Sequence, residues 1–243
     1  MFVKDVGFIL SCKIFNENLK IIKILSQNNG LLSGLYRFNS KKKKFNLEHV
    51  HFEWRIKDMN KLGFFKIESN YDNFNIKDDY FSSLFKASMC ELIVLFVADK
   101  EFNLQLYSSM KDTLSFLDKN RKLSIFGKCK RYILWELNLL KNIGYGLDLT
   151  KCVLSGKKDG LKYISPKSGK AVNEAFAEPY KNKLLCLPEF LIDEKKKLIR
   201  KDLTSGLNLT NHFLLKAKQD LNITKEKRFI IRKEILKKIQ TID

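Results

Sequence analysis

The chain changes its hydrophobic period once. From Val3 to about Tyr71, β-branched and aromatic residues come in short runs broken by Asn, Gly and Asp, the pattern of strands joined by tight turns. The runs are Val6 to Phe15, Leu19 to Ser26, Leu31 to Phe38, Glu48 to Ile56 and Leu62 to Ser69. Between them lie Asn16-Glu17-Asn18, Asn28-Asn29-Gly30, the lysine run 41–44 and Asp58 to Lys61. Five short antiparallel strands predict a small closed barrel, because closure removes the unpaired edges of a short open sheet.

From Tyr80 onward the period is helical. Phe81, Leu84, Phe85, Ser88, Leu92 and Leu95 share one face; Phe102, Leu106, Met110, Thr113 and Leu117 share a second; Phe126, Cys129, Ile133, Leu137 and Leu140 share a third. Three successive helices predict a helical bundle, with Gly144 and Gly146 ending the third. The segment 147–189 holds all three prolines of the chain, so regular structure there should be short. Helical spacing returns with Leu207, Asn211, Leu214 and Leu215, then Ile231, Ile235 and Ile239, which predicts two closing helices. The fold class is therefore α+β and multidomain. A five-stranded barrel occupies 1–78, and a helical domain occupies 79–243, including the irregular segment 147–189 and the C-terminal helices.

Composition agrees with a globular chain: 44% of the 243 residues are apolar and 12% aromatic, with only three prolines and eleven glycines. The longest apolar run, Leu92 to Ala98, is too short to span a bilayer. Met1-Phe-Val-Lys-Asp5 lacks the apolar block of a secretory signal, so a cytoplasmic, membrane-free protein is expected. Cysteines 12, 90, 129, 152 and 186 are odd in number, widely spaced and without a CxxC, which fits reduced thiols.

Charge changes the picture most. Lys and Arg number 46 against 27 acids, a net of +19, and the excess runs through the whole length rather than forming one tail. Such a chain suits a polyanion, nucleic acid above all. Only seven of the bases are arginine and Asn and Ile are abundant, so part of the lysine excess fits drift in genome base composition.

Lys41, Lys42, Lys43 and Lys44 lie between the third and fourth predicted strands, just after Arg37 and Phe38. A basic loop beside aromatics on a small barrel is what a single strand needs, since cations track phosphates and rings stack bases. Arg55 adds a cation on the fourth strand. Phe38, Phe45, Trp54, Phe64 and Phe65 are candidate stacking rings, although rings in small barrels serve the core at least as often. Lys162, Lys167 and Lys170 surround a Ser165-Pro-Lys-Ser-Gly169 loop whose hydroxyls and amides also suit phosphate.

Enzymatic signatures are missing. His49 and His51 share a strand face as half of a metal site would, but no neighbouring ligand in the sequence completes it. His212 reads as a packing or hydrogen-bonding residue. The carboxylate pairs Asp78-Asp79, Asp99 with Glu101, and Asp193-Glu194 sit in helix-start or surface contexts, and neither GxxxxGK[ST] nor GxGxxG occurs. A binding protein without catalytic residues or cofactor is the reading that remains.

Glu136-Leu-Asn-Leu-Leu-Lys-Asn-Ile-Gly-Tyr-Gly-Leu-Asp-Leu-Thr-Lys-Cys152, Tyr163-Ile-Ser-Pro-Lys-Ser-Gly-Lys-Ala-Val172 and Leu185-Cys-Leu-Pro-Glu-Phe190 strongly resemble the RecO family of bacterial DNA repair and recombination mediators. Gly7-Phe-Ile-Leu10, Glu17, Asn29-Gly-Leu-Leu-Ser-Gly-Leu35 and Leu209-Thr-Asn-His-Phe-Leu214 extend the likeness over nearly the whole chain, densest from 136 to 190. The resemblance implies an N-terminal OB-fold, a central helical domain and an irregular segment that binds zinc in many members. It further implies a nucleoid-associated protein that binds single- and double-stranded DNA and anneals complementary strands. Such a protein helps RecA replace single-strand-binding protein, together with RecR and sometimes RecF.

The chain departs from zinc-binding members, which carry four cysteines in two close pairs after the Gly-Tyr turn. Here only Cys152 stands, followed by Ser155, Ser165 and Ser168, so no metal is expected. The acidic, aromatic-ended tail of single-strand-binding protein needs an apolar pocket rimmed with bases, for which Arg121, Lys122, Lys128, Lys130 and Arg131 are the candidates. An OB-fold RNA-binding protein is the alternative reading. A metal-dependent nuclease is a weaker third, for want of a carboxylate constellation.

Overall fold

A computed structural model of the chain describes residues 1–37, 47–57, 62–72, 74, 79–223 and 229–242. The molecule divides into two compact units, Met1–Arg121 and Lys122–Asp243.

The first unit begins with β1 (Phe2–Ile14), β2 (Leu19–Ser26), β3 (Gly30–Arg37), β4 (His49–Arg55) and β5 (Gly63–Asn70). They close into a barrel in the order β1-β2-β3-β5-β4, the OB-type architecture expected. The first strand starts earlier than its apolar run because it serves two neighbours. Phe2 to Phe8 pair with β4, and Gly7 to Ile14 pair with β2, with a register shift between Ile9 and Ser11 where the strand bends from one partner to the other. Inside lie Val3, Ile9, Ile22, Ile24, Leu32, Val50, Phe52, Trp54, Ile56 and Phe65.

Closure depends on the parallel pairing of β3 with β5, where Gly34 faces Gly63. The Trp54 indole lies directly on Gly63, so a side chain there would overlap the ring. A Cβ on Gly34 would stand 2.7 Å from the Gly63 carbonyl and 2.8 Å from the Phe65 ring. The indole N–H donates to the Ser33 carbonyl at 3.2 Å, which fixes the ring across the seam.

Asp5 holds the β2–β3 turn. Its carboxylate accepts from the backbone N–H of Asn28 at 2.9 Å, from the Asn28 and Asn29 side-chain amides at 2.8 Å, and from the Ser26 hydroxyl. Burial pushes this carboxyl upward, but the donors outweigh it and hold it below the usual carboxylate range.

Two helices belong to the same unit: α1 (Tyr80–Phe96), capped by Asp79, and α2 (Leu104–Lys119), capped by Asn103. Polar ties join this part of the chain to the barrel. Lys23 pairs with Asp99 at 2.6 Å, the Ser33 hydroxyl donates to the same carboxylate at 2.9 Å, and the Lys100 N–H donates to Leu31 at 2.7 Å.

The third predicted helix, α3 (Ile125–Asn142), belongs instead to the second unit with α4 (Arg200–Asp220) and α5 (Ile230–Thr241). The reason is chemical: α3 carries Glu136, fully buried, and its partner is Arg232 of α5, with Nε to Oε1 at 2.6 Å and Nη2 to Oε2 at 3.0 Å. Arg232 also donates to Asn211 at 2.9 Å, to the Thr210 hydroxyl and to the Leu207 carbonyl, so one guanidinium ties α3, α4 and α5. Gly144 ends α3 at φ +88°, and the Tyr145 N–H returns to the Leu140 carbonyl at 2.7 Å. The segment after it is short-elemented, as expected: β6 (Leu161–Ile164), β7 (Ala171–Asn173) and β8 (Leu185–Cys186) form a sheet in the order β7-β6-β8, with three short 3-10 helices.

Replacing Arg232 by Met strands the buried Glu136 charge, and the second unit should lose about 3–5 kcal/mol. Replacing both partners, with Glu136→Leu added, should lose less. Urea unfolding of the single and double variants measures the difference, and equal losses would remove the charge pairing as its origin.

Candidate nucleic-acid interface

Strand alternation sorts the barrel's side chains into two sets. On β4, Val50, Phe52 and Trp54 point inward, and Arg55 stands outside with 70% of its side chain exposed. On β5, Phe65 is inward and Phe64, 55% exposed, is outward. Of the candidate stacking rings, Trp54 and Phe65 therefore belong to the core and Phe64 to the surface; Phe38 and Phe45 lie outside the described residues, as do Lys41, Lys42, Lys43 and Lys44. Arg37 is exposed at the end of β3, opposite Leu19 of β2.

The register brings together residues that the sequence keeps apart. Arg55 pairs with Phe2 on one side and Phe64 on the other, and Glu53 in the next outward row pairs with Lys4 and Lys66. The Arg55 guanidinium lies 4.9 Å from the Phe2 ring centroid and donates to Glu53 at 3.2 Å. Lys4 reaches Glu53 at 2.7 Å, and its hydrogen bond and charge, with those of Lys66 and Arg55, hold the Glu53 carboxyl below its ordinary value. An open groove of about 440 Å³ is lined by Met1, Phe2 and Arg55. Phe2, Lys4 and Lys66 were not singled out from sequence. The one signal was alternation, an exposed phase beside buried Val3, and it meant nothing until the pairing of β1 with β4 was known.

In the second unit the Ser165–Gly169 loop is a tight turn, with the Gly169 N–H donating to Ser165 at 2.9 Å. It is seated on α4. His212 Nε2 is 3.2 Å from the Pro166 carbonyl, and Lys216 donates to the Lys167 carbonyl at 2.6 Å. Lys167 and Lys170 are exposed on this turn, whereas Lys162 is engaged by Glu174 at 2.6 Å. Cys152 is buried, and its sulfur accepts the Asn173 N–H at 3.2 Å. Burial pushes this thiol up, but the Ser155 hydroxyl and surrounding amides bring it down to about 7. One cysteine with Ser155, Ser165 and Ser168 does not supply the donor set of a structural zinc site. Among the described residues, no group of three or more His, Cys, Asp or Glu stands together to hold a metal ion.

The candidate cations for a partner tail differ in accessibility. Arg121 is exposed and engages Asp118 at 3.0 Å, and Lys122 is exposed. Lys130 lies 5.7 Å from the Phe190 ring centroid and donates to the Glu194 carbonyl at 3.4 Å. Arg131 is half-buried, and Lys128 is 5% exposed, so its side chain is not offered to a partner in this conformation.

His49 and His51 do share a face, and the Tyr71 ring meets both edge-on at 4.8 Å. His49 is buried, stacked on Phe8 at 4.0 Å, with Nε2 2.7 Å from the Tyr107 hydroxyl and Nδ1 3.2 Å from Asp72. Its role is to join β4 to α2.

The first unit thus carries an OB-type barrel with a ring-and-cation outer wall, and the second is a basic helical unit. The family model described as Recombination protein O C terminal matches residues 77–217. The DNA repair protein RecO of Rickettsia canadensis is 35% identical over 218 residues, covering 88% of this chain and 88% of its own length. That of Rickettsia akari is 36% identical over 219 residues, covering 88% and 89%. That of Rickettsia felis is 34% identical over 242 residues, covering 97% and 99%. The chain belongs to the RecO family. Among the described residues, no helix is long and apolar enough to cross a membrane.

Burial lowers the His49 pKa to about 4, against an opposing pull from Asp72 and with Lys111 and His51 adding to the depression. The unfolded chain, with its histidine near the ordinary 6.5, therefore binds the proton first. This contribution is complete above about pH 6.5 and is lost as pH falls toward 4, on the order of 3 kcal/mol over the full range. Thermal melts of His49→Gln should lose most of the wild-type decline in that window. An unchanged profile would assign the decline to other groups.

Proposed function

We propose that the chain is a non-enzymatic mediator of DNA repair and homologous recombination in the bacterial cytoplasm, associated with the nucleoid. It holds single- and double-stranded DNA, anneals complementary strands, and helps RecA load onto DNA coated with single-strand-binding protein. RecR, and RecF where present, act with it. Membership of the RecO family carries this reading. The charge distribution supports it: residues 122–243 hold 27 bases against 13 acids, and residues 1–121 hold 19 against 14.

The division of charge suggests a division of labour. The strongly basic second unit supplies a diffuse phosphate attraction, to which Lys167 and Lys170 contribute from a turn seated on α4. The barrel supplies the more particular contacts, with Arg37, Arg55 and the lysine run 41–44 as its cations. Work of this kind exchanges binding energy among DNA, coating protein and recombinase, and it breaks no bond.

Annealing of complementary strands coated with single-strand-binding protein should accelerate when the chain is added, and the acceleration should fade as salt rises. Absence of acceleration at low salt, with folded protein, would overturn the mediator reading. Replacing Lys167 and Lys170 together by alanine should flatten the log–log salt dependence of single-strand binding by about 1.4, from about 0.7 per lost phosphate contact. An unchanged slope would take these lysines off the phosphate path.

A further inference from the structure

We infer that the outward row Phe2–Arg55–Phe64 is a stacking site for the bases of an unpaired nucleic-acid strand, an inference that rests on the reading of the chain as a DNA-holding protein. The row crosses three adjacent strands, β1, β4 and β5, with a ring on each outer strand and a cation on the middle one. Phe2 is 51% exposed and Phe64 55% exposed, and neither ring contributes to the barrel core. Met1, 64% exposed, lines the same groove as Phe2 and Arg55. A solvent-facing pair of rings across neighbouring strands offers apolar faces to a ligand.

The chemistry selects the occupant. Arg55 already lies over the Phe2 ring, so that the guanidinium and the rings of the row present flat faces and edges beside which another π-system can stack. An apolar protein partner would have to desolvate that central cation with only Glu53 to offset it, a carboxylate already shared with Lys4 and Lys66. A nucleobase instead offers a π-face to the rings and the guanidinium, while its phosphate meets the cations of the neighbouring row. That row holds Lys4 and Lys66, which together with Arg55 outnumber the acids Glu53 and Glu68 on this wall. The groove beside Met1, Phe2 and Arg55 leaves the approach open. Duplex DNA keeps its base faces stacked on one another, so the row discriminates in favour of unpaired strands.

The test uses the full chain with Phe64→Ala and Phe64→Trp, both at an exposed position, with melting temperatures compared to confirm the fold. The probes are an oligothymidylate, a duplex, and an abasic strand of the same length and charge as the oligothymidylate. Phe64→Ala should weaken oligothymidylate binding about tenfold and leave duplex and abasic binding within about twofold of wild type. In Phe64→Trp, oligothymidylate should quench the new tryptophan and the abasic strand should not; the native Trp54 and Trp135 are both buried, so the signal belongs to position 64. Wild-type affinity for oligothymidylate in Phe64→Ala, or an equal loss toward the abasic strand, would overturn the stacking site while leaving the DNA-holding reading intact. If wild-type protein binds none of the three probes at low salt, that reading falls and the stacking site with it.

Discussion

The barrel closes at a point where no side chain can stand. β3 and β5 meet in parallel with Gly34 against Gly63, and the Trp54 indole fills the space that a Cβ on Gly63 would take. The outer wall follows from this seam. Because Gly63 must face the ring, alternation sends Phe64 outward and Phe65 back into the core, and the pairing of β5 with β4 places Phe64 beside Arg55. A residue whose only local distinction is a neighbouring glycine thus stands at the exposed edge of the ring-and-cation wall.

Period and turn chemistry made the strands and helices legible before any coordinates. The run Leu19–Ser26 matches β2 to the residue; β4 is one residue shorter than its run at each end, β5 lies one residue later, and β1 begins four residues earlier because it serves two partners. The assignment of helices to units was not legible. Apolar spacing shows that Cys129, Ile133 and Leu140 share a buried face, but it does not say what covers that face. Glu136 in the middle of it was the local clue, and its partner stands 96 positions away.

The candidate binding residues divide in the same way. Single cations such as Arg37, Arg55, Lys167 and Lys170 could be named from their neighbours, and the structure shows them exposed. Lys128 could not be told from Lys130 by composition, yet one is buried and the other reaches a ring and a carbonyl. Trp54 and Phe64 look equally suited to stacking in a list of aromatics. Register alone separates a core indole from a surface phenyl, and register is a property of three strands taken together.

The guanidinium that ties α3, α4 and α5 has a consequence for how the chain is made. Glu136 leaves the ribosome 96 residues before Arg232, and at about 5–20 residues per second α3 is present for several seconds before its countercharge exists. Throughout that interval the carboxylate must stay in water, which keeps the apolar face of α3 from sealing prematurely against the wrong surface. α5 then acts as the latch of the second unit: a helix synthesised after α3 and α4 is the one that permits the interior to go dry.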